Sequence, residues 1–525
     1  MSTLETEVLI IGGGVTGAGV MRDLALRGIH CILVEKNDLC AGASGGNHGL
    51  LHSGARYVSN DLQSAVECRN EGYILKKIAP HCIEETGGLF VGMADDDEEF
   101  AARFQPLCRT AGIACEEVSS HDALTMEPGL SDKLVRAFHV PDATIDPFHL
   151  ALENVAHATM LNTSRYLPHC GIVGFQQRNG RIQEALCRDN LTGKTLTIRA
   201  QQFVNAGGGW AMKIAALAGC DEVRLLWSKG TLLVTHNRLT DRVINRLRPP
   251  SDGDILVPGG TVSILGTTSL RTDTIENVQP TVEEVNHNIR EGMVMIPGLE
   301  HTRFIRAFSR VRPLVQEAQQ DDDRNIARSF SLFEHNSSLE NFCTITGGKL
   351  TTYRLMAEKT ADLVAFRLGN TQCCTTHLTA LPDSNDCRWT QPGESSHYCF
   401  TANDAEDLLL CECEMVPQSA ISQIINETPG AEKEMSLTAI ALRSRAGKGS
   451  CQGSFCGMRI ASFLYDCGHY SDSTGLDHMR DFFSERFKGM RCVIWGQQMA
   501  QMELAEALHK GLLGLDLLDA ETSAG

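Results

Sequence analysis

The sequence predicts an α/β protein in which a Rossmann-like dinucleotide-binding domain joins an antiparallel-sheet substrate domain, with a small helical domain at the C-terminal end. Three observations carry that expectation. Residues 7–36, "EVLIIGGGVTGAGVMRDLALRGIHCILVEK", set out strand, glycine turn, helix, strand and acid in order. Residues 134–200 are cut into short runs by turn sequences such as "RNGRI" and "LTGKT". Beyond residue 405, two cysteine pairs sit beside stretches of helical spacing.

The chain has 525 residues, 42% of them hydrophobic, which is enough for several buried cores. The net charge of −18 argues against a nucleic-acid partner, because a phosphate backbone needs a basic face. A small phosphorylated molecule needs only a few local cations. The 20 cysteines are scattered, and the start "MSTLETEVLIIGGG" lacks a basic leader, so a reducing cytoplasm is expected rather than a disulfide framework. No apolar run approaches the roughly 20 residues of a membrane helix, so any membrane is met peripherally or through a partner. The organisation expected is one large unit over 1–370, a linker over 371–405, a cysteine-bearing unit over 406–475 and a helical extension over 476–525.

In the first unit, Val8 to Ile11 reads as a buried parallel strand and Gly12, Gly14 and Gly17 as the turn after it. A helix follows from about Val15 to Arg27, with Gly28 as its stop. Glu35 closes the second strand. Glycines there let the backbone approach a pyrophosphate, and the acid reaches a ribose hydroxyl. No second G-x-G-x-x-G occurs, so no separate nicotinamide domain is evident. "FVNAGGGWA" (203–211) offers another strand-to-glycine turn, at Ala206 and Gly207.

The loop "SGGNHGLLHSGARY" (44–57) gathers two histidines, an arginine and a tyrosine among glycines that permit close approach to a flat ring. The stretch 134–200 reads as hairpins around one helix, "DPFHLALENVAHATML", and as an antiparallel cover over the active face. "FSRVRPL" and "NIARSF" then add Arg310, Arg312 and Arg328. In "ITGGKLTTYRLMAEKTADLVAFRLG", Gly347 and Gly348 precede a helix whose N-terminus, at Lys349, favours an anion.

The fingerprint, "NHGLLHSGARY", "VPDATIDPF", "ILVPGGTVSILGTTS", "VRPL" and "GGKLTTYR" together resemble the flavin-dependent glycerol-3-phosphate dehydrogenases, within the wider group of D-amino-acid and glycine oxidases, over residues 5–370. The resemblance implies FAD on Gly12, Gly14, Gly17 and Glu35, with Ala206 and Gly207 beside it. Its ring would lie against Ser44, Asn47, His48 and Gly49 on one loop and Gly347, Gly348, Leu350 and Thr351 on another. His52, Arg56 and Tyr57 would line the substrate pocket. Arg312, Arg328 and Lys349 would meet the phosphate and hydroxyl of sn-glycerol 3-phosphate.

Oxidising a secondary alcohol requires removal of the hydroxyl proton as hydride leaves carbon 2. His52 suits the base, since imidazole titrates near pH 6.5, and His48 is the other histidine in reach. Arg312 would hold the developing alkoxide, and Arg328 and Lys349 the phosphate. A related enzyme acting on a hydroxy or amino acid, such as L-2-hydroxyglutarate, would share the N-x-G-x-x-H-S-G loop, but the basic set favours a phosphate. A purely electron-transferring protein would have no use for the His52–Tyr57 loop.

From 370 to 406 the pattern turns polar and reads as a linker packed along the first unit. Cys373 and Cys374 there read as idle thiols. Cys411 and Cys413 form C-x-C, and Cys451 and Cys456 form C-x₄-C, on loops at helix starts. Four thiolates can hold zinc or an iron–sulfur cluster, and this spacing leans to the latter. The pattern resembles the small [2Fe–2S] module of bacterioferritin-associated ferredoxins, fused behind several flavin dehydrogenases. That resemblance implies electron flow from FAD to partner subunits, namely a B subunit carrying FMN and a membrane-anchoring iron–sulfur C subunit. The chain would then sit peripherally on the cytoplasmic side of the inner membrane and feed a menaquinone-type acceptor in anaerobic respiration. The helical spacing after 476 reads as packing on the chain's own core or on a partner, because its charge is mixed.

Overall fold

The computed structural model describes residues 2–315, 329–428 and 435–516. The strand Ser2–Ile11 lies between Cys31–Val34 and Thr195–Asn205, parallel to both. Val8, Leu9 and Ile10 are fully buried on both faces, which is why this run shows no alternation. Arg165–Leu167 extends the sheet on one side, and Phe342–Gly347 pairs with Thr195–Asn205 to complete an eight-stranded sheet with its neighbours. The helix Val15–Leu26 starts immediately after Gly14 and ends where Gly28 takes φ +76°. It packs against the helices Pro147–Leu161 and Tyr353–Leu368. Pro147 sits in the first turn of its helix, and Asp146 caps that helix by accepting from the Phe148 and His149 amides.

The turns expected at "RNGRI" and "LTGKT" are present, with Asn179, Gly180 and Gly193 at positive φ. Their sheet differs from the expectation. Arg181–Asp189 pairs with Thr195–Asn205 and so extends the nucleotide-binding sheet rather than covering it. Ile182, Ala185 and Cys187 share a core with Leu9 and Ile11. Alternation marks a strand but does not say which sheet receives it.

The cover is a nine-stranded sheet in which Leu225–Thr235, near one side, pairs antiparallel with Phe304–Val315 along its whole length. It is mixed rather than wholly antiparallel, because Gly88–Met93 runs parallel to Val243–Arg246.

The segment 371–405 is more ordered than a polar linker. It contains a 3₁₀ turn, Asn385–Thr390, and a helix, Glu394–Ala402. The Leu381 amide donates to the Ile78 carbonyl (2.7 Å), whereas Trp389 is buried in the C-terminal core. The helix escaped sequence analysis because "ESSHYCFTA" has no apolar stripe. The C-terminal domain packs Gln418–Glu427, Leu437–Arg443, Cys456–Asp466 and Thr474–Met490 around Ile421, Ile440, Leu464 and Phe483. Phe487 and Met502 belong to the same core, so the break expected at 476 falls inside it. Among the described residues, no helix is long and apolar enough to cross a membrane.

Candidate active site

A cavity of about 530 Å³ opens between the two large sheets. Gly12, Gly14 and Glu35 form one end of it, and Ala206 and Gly207 a side wall. Gly12 holds φ +114°, and a side chain there would meet the Ala206 carbonyl at 2.5 Å, so only glycine lets the two strand ends close around a ligand. Glu35 accepts from the Gly13 amide (2.8 Å) and the Asn37 amide (2.9 Å). Burial pushes its carboxyl above the usual range.

Ser44, Asn47, His48, Gly347, Gly348 and Leu350 also line the cavity. Gly17, Gly49 and Thr351, expected at the cofactor, stand behind its wall. A Cβ on Gly17 would lie 2.0 Å from the Gly12 carbonyl, so this glycine closes the turn. Gly49 accepts from the Ile145 amide through its carbonyl (2.7 Å). The Thr351 hydroxyl accepts from the His52 amide (3.1 Å) and so fixes the histidine loop.

At the other end, His52 and Tyr57 meet edge to face, with Nε2 and Oη 3.3 Å apart. The Lys349 ammonium lies 4.7 Å from the Tyr57 ring centre and donates to the Ser64 hydroxyl (2.8 Å). Arg312 reaches the cavity from Phe304–Val315, with its guanidinium anchored on the Thr268 carbonyl (2.6 Å). Arg56 lines the cavity, as expected. Its Nη2 also donates to both oxygens of the fully buried Asp254 carboxylate (2.9 and 3.1 Å) and ties the loop to the cover sheet. Arg328 lies outside the described residues.

The arrangement has one end that admits a pyrophosphate and another with an imidazole, a phenol and cations. A family model described as "FAD dependent oxidoreductase" matches residues 7–363. The A subunit of the anaerobic glycerol-3-phosphate dehydrogenase of Escherichia coli K12 is 39% identical over 98% of this chain and 97% of its own. The chain belongs to the FAD-dependent oxidoreductases, among the A subunits of the anaerobic glycerol-3-phosphate dehydrogenases. The A1 subunit of the Haloferax volcanii enzyme is 36% identical over 97% of this oxidoreductase and 91% of its own length. The glycerol-3-phosphate dehydrogenase of Bacillus halodurans, solved with FAD, shares the fold at a TM-score of 0.65 and 20% identity, covering 94% of this chain and 96% of its own.

The cavity residues fit FAD: Gly12 and Gly14 line its near end without side chains, and the carboxylate of Glu35 stands at the end of the second strand. Several residues of this oxidoreductase's cavity were not anticipated. Arg310 lines the cavity, and a Cβ on Gly46 would lie 1.9 Å from its Cγ. Gly230 makes room for the Arg312 guanidinium, 2.9 Å from where its Cβ would stand. Trp210 lies beneath the Lys36 ammonium (4.1 Å) and donates to Glu276 (2.6 Å). Arg310 was visible as a basic residue in "FSRVRPL"; Gly230 carried no signal, because its neighbours come from distant strands.

In the C-terminal domain, Cys411 ends the strand Leu409–Cys411, and Cys456 opens the helix Cys456–Asp466. Cys456 interacts with Cys411 and Cys451, and Cys451 also engages Cys413. These contacts hold the Cys411 and Cys451 thiols below the usual range. Backbone amides of Gly447 and Glu414 help at Cys411, and those of Phe455 and Gly453 at Cys451. Arg486 braces the same loop by donating to the Cys451 and Gln452 carbonyls, both at 2.5 Å. Convergent thiolates ringed by amides suit a thiolate-held cluster.

Proposed function

We propose that this chain oxidises sn-glycerol 3-phosphate to dihydroxyacetone phosphate and passes the electrons through a [2Fe–2S] cluster to partner subunits. The observation that carries the reading is the grouping of His52, Tyr57, Arg312 and Lys349 at the far end of a cavity whose near end fits FAD. Bound there, FAD supplies the acceptor for the hydride from carbon 2. His52 takes the hydroxyl proton on its imidazole, whose Nε2 lies 3.3 Å from Tyr57 Oη. The guanidinium of Arg312 stabilises the oxygen as it gains negative charge. Lys349 binds the phosphate as a point charge, and Arg328 shares that role by the resemblance.

Cys411, Cys413, Cys451 and Cys456 would hold the cluster, which supplies one-electron steps. Their C-x-C and C-x₄-C spacing leans to iron–sulfur over zinc. The loop bearing Cys451 leans on the flavin-binding domain, where the Lys448 ammonium lies 5.4 Å from the Phe148 ring centre. Partners would be a B subunit, with FMN, and a membrane-anchoring C subunit that passes electrons to a menaquinone-type acceptor, leaving this chain peripheral on the cytoplasmic side. Anaerobic titration of the visible spectrum with sn-glycerol 3-phosphate tests the reading, with L-2-hydroxyglutarate and glycerol as controls. Bleaching of the flavin bands by the phosphate alone, followed by loss of the longer-wavelength absorption, is the expected result. Bleaching by hydroxyglutarate and not by the phosphate overturns the substrate assignment.

A further inference from the structure

A second group of donors lies behind the flavin-binding helix, outside the cavity. His149 and Glu153 stand one helical turn apart on Pro147–Leu161 and face the same way. His81 and Cys82 reach them from the 3₁₀ turn Pro80–Cys82, and Cys387 from Asn385–Thr390. The donor atoms of His149, Glu153 and Cys387 all lie within 4.8 Å of one another, as do those of His81, Cys82 and His149. His149 is 2% exposed, Glu153 0% and Cys387 1%, and His81 closes the partly exposed side of the group.

Three polar atoms here are buried without a hydrogen-bond partner: His81 Nε2, His149 Nε2 and Glu153 Oε2. Such atoms cost free energy unless something satisfies them. They do not satisfy each other. His149 Nε2 is 3.6 Å from Glu153 Oε1, and His81 Nε2 is 4.0 Å from Oε2, both beyond a hydrogen bond. Two ligands on a tetrahedral ion with bonds of about 2.0–2.1 Å stand about 3.3 Å apart, so a small inward shift around an ion would satisfy all three atoms. The orienting contacts are already in place. The Ser384 amide (2.8 Å) and hydroxyl (3.0 Å) donate to Glu153 Oε1, and the same hydroxyl oxygen lies 3.5 Å from Cys387 Sγ. Two imidazoles, a carboxylate and a thiolate suit zinc and not the oxygen-seeking magnesium or calcium.

We propose that His81, His149, Glu153 and Cys387 bind a divalent zinc-type cation that clamps the segment carrying the cysteine domain onto the flavin-binding domain. Binding displaces the Cys387 thiol proton to solvent, and no electron moves.

Zinc and iron are measured together by mass spectrometry on the full chain purified without chelator. About one zinc per chain is expected in the wild type and in Cys451→Ser, whose iron site is broken, and under about a tenth in His149→Ala and Cys387→Ser. Cobalt exchanged into the wild type should show thiolate-to-metal absorption that Cys387→Ser abolishes and Cys82→Ser keeps. A wild type that takes neither zinc nor cobalt, or zinc that persists in His149→Ala, overturns the proposal. Should His149→Ala yield no FAD-bearing protein, Ser384→Ala decides: loss of zinc to a chelator about 10- to 100-fold more readily supports the site, and unchanged retention overturns it.

Discussion

Arg443 of the cysteine domain forks onto Asp38 of the flavin-binding domain, with its Nη1 2.7 Å and its Nη2 3.2 Å from the two carboxylate oxygens. Both side chains are buried, and Asp38 also accepts from the Tyr166 hydroxyl (2.9 Å) and the Leu39 amide (2.8 Å). The pair pins the domain that holds the four cysteines beside the loop that leads to Ser44. Arg443→Met leaves a buried carboxylate unpaired, which costs about 3–5 kcal/mol. A lower Tm and faster proteolysis between the two domains are expected, whereas unchanged proteolysis would show that other contacts dominate.

The same pair sets an acid limit. Burial pushes the Asp38 carboxyl up, but Arg443 outweighs it and holds the group below the usual range. The contribution is therefore complete above the unfolded value of about 3.9 and is lost as pH falls through the lower folded value. Asp38→Asn should flatten this part of the acid-unfolding curve. A curve that keeps its shape would assign the acid sensitivity elsewhere.

His52→Ala should lower kcat by about 10²–10⁴-fold with little change in KM, because proton removal matters in the transition state. Lys349→Met should do the reverse, raising KM for the phosphorylated substrate about 10- to 100-fold. Steady-state kinetics with an artificial acceptor separates the two. Equal effects on both parameters in both variants would remove the assignment of roles.

Gly12→Ala should yield protein without flavin. The new methyl would stand 2.5 Å from the Ala206 carbonyl at a φ of +114°, a backbone region that costs about 1–3 kcal/mol for other residues. The ratio of flavin to protein absorbance reads this directly. A variant with full flavin content would mean that the strand ends can part.

Cys451→Ser should remove the long-wavelength absorption and leave substrate-driven bleaching of the flavin intact. The two halves of the electron path then separate in one variant. Loss of both signals would show instead that the cysteine loop supports the flavin site itself.

The nucleotide turn was legible because all its parts lie within 30 consecutive residues and each obeys a local rule. The cysteine pairs were legible as paired loops for the same reason. The ion pair of Arg56 gave no signal, because its partner, Asp254, is 198 residues away. Arg443 and Asp38, 405 residues apart, gave no signal at all. The hairpins at 170–205 were found, but their sheet was not, since Ile182 and Cys187 would be buried equally well in either layer. The donors behind Pro147–Leu161 looked like ordinary core and linker residues until the fold brought three segments together.

One strand carries a wider consequence. Phe304–Val315, 12 residues long, lies at the rim of the cover sheet with Leu225–Thr235 on one side. The helix Thr474–Met490 packs over it so closely that a methyl on Gly489 would come within 2.7 Å of the Ala307 carbonyl. A long unshielded rim of this kind recruits strands from other molecules. Among the described residues, the cysteine domain thus covers a strand that would otherwise stand at an open rim. Shortening the gene to its flavin-binding part would remove a shield along with an electron relay, so the two halves are poorly placed to be traded independently in evolution or in engineering.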